Sequence, residues 1–192
     1  MQSIPLTLPN ILSLYRLASV PFICILIGLG HDRLFALLFT INQVTDILDG
    51  YIARKYKLQT ETGALLDSYA DIGSYILAFY AIVTFHPYLF TDYGYWLSGF
   101  FVIYALQLMI CRIKHKRWVA GLHLYSCKIT GYVQGLFLVT LFAYGFIGWF
   151  FYVMILIGIL AELEVIAINV LSSRPILNAK GLYWVLKNKQ LS

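Results

Sequence analysis

Four aspartates, Asp46, Asp49, Asp67 and Asp71, fall within 26 consecutive residues of a chain in which only 12% of residues are charged. An ionisable side chain within an apolar helix costs at least about 2.5–3.5 kcal/mol on insertion scales, so such a grouping points to function. Asp46, Asp49, Gly50 and Ala53 recur at i, i+3, i+4 and i+7, which is one stripe of a helix. Gly63, Asp67, Asp71 and Ser74 share a stripe of the next helix. The eight residues between Arg54 and Gly63 permit an antiparallel hairpin in which the two stripes face each other. Four like charges in so small a volume cannot all remain ionised without counter-charge. Mg²⁺ or Mn²⁺ would supply it, taking carboxylate oxygens while keeping positions open for phosphate. Two such ions about 3.5–4 Å apart are the usual clamp for in-line displacement at phosphorus. Gly50, Ala53 and Gly63 leave room for something bulky against the helix backbones, and Arg54 and Lys55 can hold phosphate oxygens. The plainer alternative makes the aspartates helix-cap and interfacial residues paired with Arg54, Lys55 and Lys57. It suits one or two aspartates, not four on facing stripes.

The elements that must position these residues follow from composition. With 60% hydrophobic residues, 17% aromatic ones and a mean hydropathy of +0.77, the chain cannot be an ordinary soluble domain, a disordered segment or a coiled coil. A helix needs about 20 residues to cross the hydrocarbon layer. Six apolar stretches are expected in the 192 residues, over 10–29, 34–53, 63–85, 96–111, 122–145 and 148–171. The expected fold is all-α: a polytopic membrane protein with six transmembrane helices, forming a single domain over residues 1–192. Eleven basic residues (Arg54, Lys55, Lys57, Arg112, Lys114, Lys116, Arg117, Arg174, Lys180, Lys187 and Lys189) would lie on one side and Arg33 alone on the other. By the positive-inside tendency both termini and the acidic site are then expected on the cytosolic side of the cell membrane. In so apolar a chain, the net charge of +5 reads as contact with anionic lipid, not nucleic acid. Cys24, Cys111 and Cys127 are scattered and odd in number, as buried small hydrophobes are and a disulfide framework is not. Met1–Pro9 has no basic residue and Arg16 interrupts the first stretch, unlike a secretory signal.

Other polar residues have two readings each. Arg16 could reach a donor or acceptor phosphate, or snorkel to headgroups. Asn10 reads as a helix cap or a ribose contact. Arg112 and its basic neighbours could set topology or bind a phosphorylated acceptor, and Lys128, inside a span, suits the same anion. His123 reads as a satisfied core residue. Glu162 and Glu164 would pair with Arg16 or Lys128, or stay protonated. The tail Tyr183–Lys189 is either an interfacial amphipathic helix or frayed.

The stretch Asp46-x2-Asp49-Gly50-x2-Ala53-Arg54-x8-Gly63-x3-Asp67-x3-Asp71 resembles, at all eight fixed positions, the signature of the CDP-alcohol phosphotransferase family. The opening Pro9-Asn10-x-Leu12-Ser13-x2-Arg16 is similar to its phosphatidylglycerophosphate and cardiolipin synthase branches. The resemblance implies transfer of a phosphatidyl group from CDP-diacylglycerol to the hydroxyl of a small polar acceptor, with release of CMP, in phospholipid synthesis. It implies that Asp46, Asp49, Asp67 and Asp71 hold two divalent metals, that Asp71 is the catalytic base, and that Asp46, Gly50, Ala53, Arg54, Gly63 and Asp67 bind the CDP group. It also implies a homodimer. Arg112, Lys128 and Arg16 are the candidates for acceptor phosphate, and glycerol 3-phosphate is the favoured acceptor. Ser68 and Ile72 depart from those branches and look like phosphatidylserine synthases, which keeps serine, inositol and inositol phosphate open. A cation or proton transporter is the rival of another class, but its carboxylates should lie nearer the bilayer midplane.

Overall fold

The computed structural model describes residues 7–116, 124–172 and 179–187. Arg117, His123, Arg174 and Lys189 lie outside the described residues, so the readings placed on them stay where the sequence left them. The described residues form eight helices and no strand: α1 (Leu8–Gly28), α2 (Asp32–Lys55), α3 (Glu61–Phe85), α4 (Tyr88–Asp92), α5 (Gly94–His115), α6 (Tyr125–Tyr144), α7 (Gly148–Leu171) and α8 (Leu182–Lys187).

The all-α, polytopic expectation holds, but the count of spans does not. Five helices among the described residues, α1, α3, α5, α6 and α7, are long and apolar enough to cross a membrane, not six. The exception is α2: its 24 residues are sufficient, but Asp32, Arg33, Asn42, Gln43, Asp46, Asp49, Arg54 and Lys55 make it too polar. An odd count also removes the basis for placing both termini on the cytosolic side. The apolar surface of the five is that of a protein in a bilayer. On α7, Leu156 and Leu160 are each 57% exposed, and on α1 Phe22 and Ile25 are as open. Helices suit that solvent because each satisfies its own backbone groups.

Contacts divide the chain into two compact units, Met1–Leu89 with Leu138–Gly145, and Phe90–Phe137 with Phe146–Ser192. In the first unit α1 and α2 are joined by a tight reversal. Gly30 takes a left-handed φ of 78°, its N–H donates to the Ile27 carbonyl, and the His31 N–H donates to that of Leu26, which closes the last turn of α1. The same device ends α2 without a glycine: Lys57 adopts φ 56° and the Leu58 N–H donates to the Ala53 carbonyl. Arg54 and Lys55 in that last turn complement the helix dipole. α3 then starts at Thr60, whose hydroxyl accepts from the Gly63 N–H at 3.0 Å. Ile23 and Ile27 of α1, Phe35 and Phe39 of α2, and Leu77 and Ala81 of α3 form a buried apolar cluster. Phe142 of α6 packs edge-on to Phe35 there, with ring centroids 4.8 Å apart. This cluster anchors one end of the three helices and leaves the polar residues together at the other.

In the second unit, α5 and α7 pack closely; a Cβ at Gly158 would be 2.7 Å from the Phe100 ring. The described part of the tail, up to Lys187, is docked and helical: Val185 of α8 is fully buried in a cluster with Leu124, Val165 and Ile168, while Tyr183, Trp184 and Lys187 remain exposed. Glu164 of α7 secures this arrangement. One carboxylate oxygen accepts from the Leu182 backbone N–H at 2.7 Å, and the other accepts from the Ser126 hydroxyl.

Candidate active site and metal centre

The hairpin expected from the spacing of the aspartates is present. Asp46, Asp49 and Asp67 each bring one carboxylate oxygen to within 4.8 Å of the others, although the first two come from α2 and the third from α3. Oxygens around a Mg²⁺ or Mn²⁺ ion at about 2.1 Å are separated by up to about 4 Å, so a small closure suffices for these three to coordinate one. The cluster is therefore able to hold a divalent metal ion. Asp71, one turn further along α3, stands outside that three-oxygen group.

Arg16 joins all four. Its Nη1 lies 2.5 Å from Asp46, 3.2 Å from Asp67 and 3.4 Å from Asp49, and its Nη2 lies 2.6 Å from Asp71. The arginine is 1% exposed, so it does not snorkel to the headgroups. These four ion pairs tie α1 to both α2 and α3. Sequence reasoning also missed Ser13, whose hydroxyl donates to Asp49 at 3.0 Å, and Asn42, whose amide donates to the Ser19 hydroxyl at 2.9 Å. A signal was available: Asn10, Ser13, Arg16 and Ser19 recur every third residue, a narrow polar stripe along an otherwise apolar α1.

Beside the cluster lies a cavity of about 340 Å³, within the range of small-molecule sites. Pro9, Asn10 and Ser13 of α1 line it, with Asp49, Gly50, Ala53 and Arg54 of α2 and Gly63, Ala64 and Asp67 of α3. It shares Asp49 and Asp67 with the metal-capable group, while Asp46 and Asp71 are not in its wall. Of the residues expected around a nucleotide, Gly50, Ala53, Arg54, Gly63 and Asp67 are thus brought together. The two glycines have distinct steric reasons. A Cβ on Gly50 would come 3.2 Å from Arg54 Nη1, so glycine lets the guanidinium fold back one turn along α2. A Cβ on Gly63 would come 2.4 Å from Asn10 Oδ1 and 2.9 Å from Thr60 Oγ1. Asn10 lies two residues inside α1, whose N-cap position is Thr7, so it is not the helix cap; it is buried and its side chain meets α3.

The remaining candidates belong to the second unit. Arg112 is exposed, and its Nη1 donates to the Lys116 carbonyl at the end of its own helix, at 3.1 Å. Lys128 is exposed, with Nζ 5.8 Å from the centroid of the Tyr125 ring. In the first unit, Ser74 donates to the Ala70 carbonyl of its own helix.

Comparison with known proteins agrees with this geometry. Over 67 residues the chain is 45% identical to the CDP-diacylglycerol–glycerol-3-phosphate 3-phosphatidyltransferase of Rickettsia bellii, covering 33% of this chain and 37% of that protein. The enzyme of the same name from Haemophilus influenzae is 39% identical over 79 residues, or 40% of this chain and 43% of the relative. A cardiolipin synthase (CMP-forming)/mitochondrial hydrolase fusion protein of Schizosaccharomyces pombe is 43% identical over 65 residues, 34% of this chain and 11% of the fusion. The chain thus spans less than half the length of these curated relatives. No solved structure matches it. The CDP-alcohol phosphatidyltransferase family model matches residues 6–163, which takes in the acidic cluster, the cavity and all five apolar spans except the end of α7, and the chain belongs to that family.

Proposed function

We propose that this chain is an integral-membrane phosphatidyltransferase that moves a phosphatidyl group from CDP-diacylglycerol to a small polar acceptor and releases CMP. The observation that carries the reading is the shared wall. A cavity on the scale of a nucleotide head is bounded by Gly50, Gly63 and Arg54, and opens onto Asp49 and Asp67 of a metal-capable cluster. The pyrophosphate of such a donor carries dense negative charge, which Arg54 can meet from the cavity side. Two divalent ions, Mg²⁺ or Mn²⁺, held by Asp46, Asp49, Asp67 and Asp71, would neutralise charge developing at phosphorus. An acceptor hydroxyl oxygen bonds to the phosphorus that bears the diacylglycerol, the bond to the bridging oxygen breaks, and CMP departs with that oxygen. The hydroxyl proton passes to Asp71. The position of Asp71 outside the three-oxygen group supports that division of labour. A lipid donor also accounts for a nucleotide-sized cavity in a bilayer protein: its acyl chains stay in lipid while its head enters the site.

Glycerol 3-phosphate is the acceptor proposed, because relatives named for it are the most frequent among the matches and because Lys128 and Arg112 offer cations for a second anionic group. The whole chain is proposed to work as one catalytic domain, as a homodimer. The test is CMP release by the purified protein with glycerol 3-phosphate, serine, inositol and inositol phosphate supplied in turn. Release with glycerol 3-phosphate alone supports the full reading. Release with serine or inositol instead would keep the reaction and replace the acceptor, and release with none would reject both.

A further inference from the structure

The proposed reaction leaves Arg16 without a task, although its guanidinium has the most central position in the cluster. Nη1 stands within 3.4 Å of Asp46, Asp49 and Asp67, the same three carboxylates whose oxygens converge within 4.8 Å. Nη2 is held separately by Asp71 at 2.6 Å. Arg16 is 1% exposed, and its buried Nε has no hydrogen-bond partner, so the two terminal nitrogens make its polar contacts. A guanidinium keeps its charge at any physiological pH. A divalent ion ligated by those three carboxylates would draw on the same side chains that Nη1 now engages, and Nη1, as a cation close to it, would repel it.

We propose that Arg16 is a positioning residue, the resident counter-cation of the acidic cluster, and that a divalent ion and Nη1 compete for Asp46, Asp49 and Asp67 while Nη2 stays tethered to Asp71. Arg16 keeps four carboxylates assembled before metal arrives, and it lowers metal affinity by the interactions that must be exchanged. This rests on the metal reading above, and the experiment separates the two.

Mn²⁺ binding is measured by the electron paramagnetic resonance of the free ion, and thermal stability by tryptophan fluorescence, for wild type, Arg16→Met and Arg16→Lys, each in lipid nanodiscs with and without Mn²⁺. Removing one unit charge from contact distance in a partly wet site should tighten Mn²⁺ binding about tenfold or more. Metal-free Arg16→Met should melt below wild type, with Mn²⁺ restoring most of the difference, and Arg16→Lys should fall between. Unchanged or weaker Mn²⁺ binding by Arg16→Met, or an unchanged metal-free midpoint, overturns the proposal. Should Arg16→Met fail to fold, wild type with isotope-labelled arginine answers instead. The guanidinium signal missing from Arg16→Lys should move as Mg²⁺ saturates, and a signal that stays put overturns the competition. Wild type that binds no Mn²⁺ rejects the metal reading and this proposal together, whereas normal wild-type binding without tightening in Arg16→Met rejects this proposal alone.

Discussion

Substituting Gly63 by alanine isolates steric fit from helix propensity. Gly63 is in the first turn of α3, where alanine would on propensity alone stabilise by up to about 1 kcal/mol. The added methyl, however, would stand 2.4 Å from Asn10 Oδ1 and 2.9 Å from Thr60 Oγ1, both closer than real contacts allow. Asn10 is 4% exposed, so its amide has little free space to turn into. Thr60 caps α3 through the Gly63 N–H itself, and moving its hydroxyl weakens that bond. Overpacking costs about 1–3 kcal/mol and a lost threonine cap about 1 kcal/mol. Steric loss therefore exceeds the propensity gain, leaving Gly63→Ala about 1–3 kcal/mol less stable, a midpoint lower by at least about 2 °C. Gly131 in α6 is the control: a Cβ there meets nothing within 4 Å, so Gly131→Ala should be stabilising by about 0.5–1 kcal/mol. Thermal melts of both variants and wild type in one detergent provide the comparison, with CDP-diacylglycerol affinity measured on the same samples. Because Gly63 also lines the cavity, its substitution should weaken donor binding about tenfold or more, a loss of roughly 1.4 kcal/mol. A Gly63→Ala protein as stable as Gly131→Ala would refute the steric argument, and normal donor binding by a destabilised Gly63→Ala would remove the donor from this cavity.

Three further outcomes are expected. Asp71→Asn should lose turnover about 10²-fold or more, the scale of general-base loss, with donor binding largely kept, whereas Asp49→Asn should lose both; equal loss of donor binding in the two variants contradicts the assigned roles. Lys128→Ala should raise the KM for glycerol 3-phosphate and leave that for CDP-diacylglycerol nearly unchanged, and acceptor kinetics showing the reverse would dismiss Lys128 as an acceptor contact. Glu164→Ala removes the acceptor for the Leu182 N–H and the Ser126 hydroxyl, so tryptic cleavage after Lys180 and Lys187 should quicken; cleavage at the wild-type rate would show that α8 is held by Val185 packing alone.

The acidic cluster was legible because its information is local. Spacings of three and four residues place Asp46 with Asp49, and Asp67 with Asp71, on helical stripes, and a short connection leaves α2 and α3 few ways to meet. Arg16 was not legible in the same way. Its partners are 30 to 55 residues distant in sequence, and choosing them requires knowing that α1 lies against both stripes. The apolar run at Leu34–Ile41 drew α2 into the count of spans, but the polar residues that build the site are what lower its hydropathy below that of its neighbours. Glu164 illustrates a further limit. Its partners are a backbone N–H and a serine hydroxyl, groups too common for a sequence to mark. Asn10 shows a gain from the structure over the motif: Gly63 provides space for a buried side chain of α1 as well as for a ligand.

The central claim, that the acidic cluster and its adjoining cavity transfer a phosphatidyl group with divalent metal, is tested most directly by CMP release. Purified protein reconstituted in vesicles containing CDP-diacylglycerol is stripped of metal, with removal verified by elemental analysis, and assayed with glycerol 3-phosphate before and after Mg²⁺ or Mn²⁺ is returned. CMP should appear only when acceptor and divalent ion are both present, and Asp49→Asn should release none. Full release from verified metal-free protein, or from Asp49→Asn, would contradict the account.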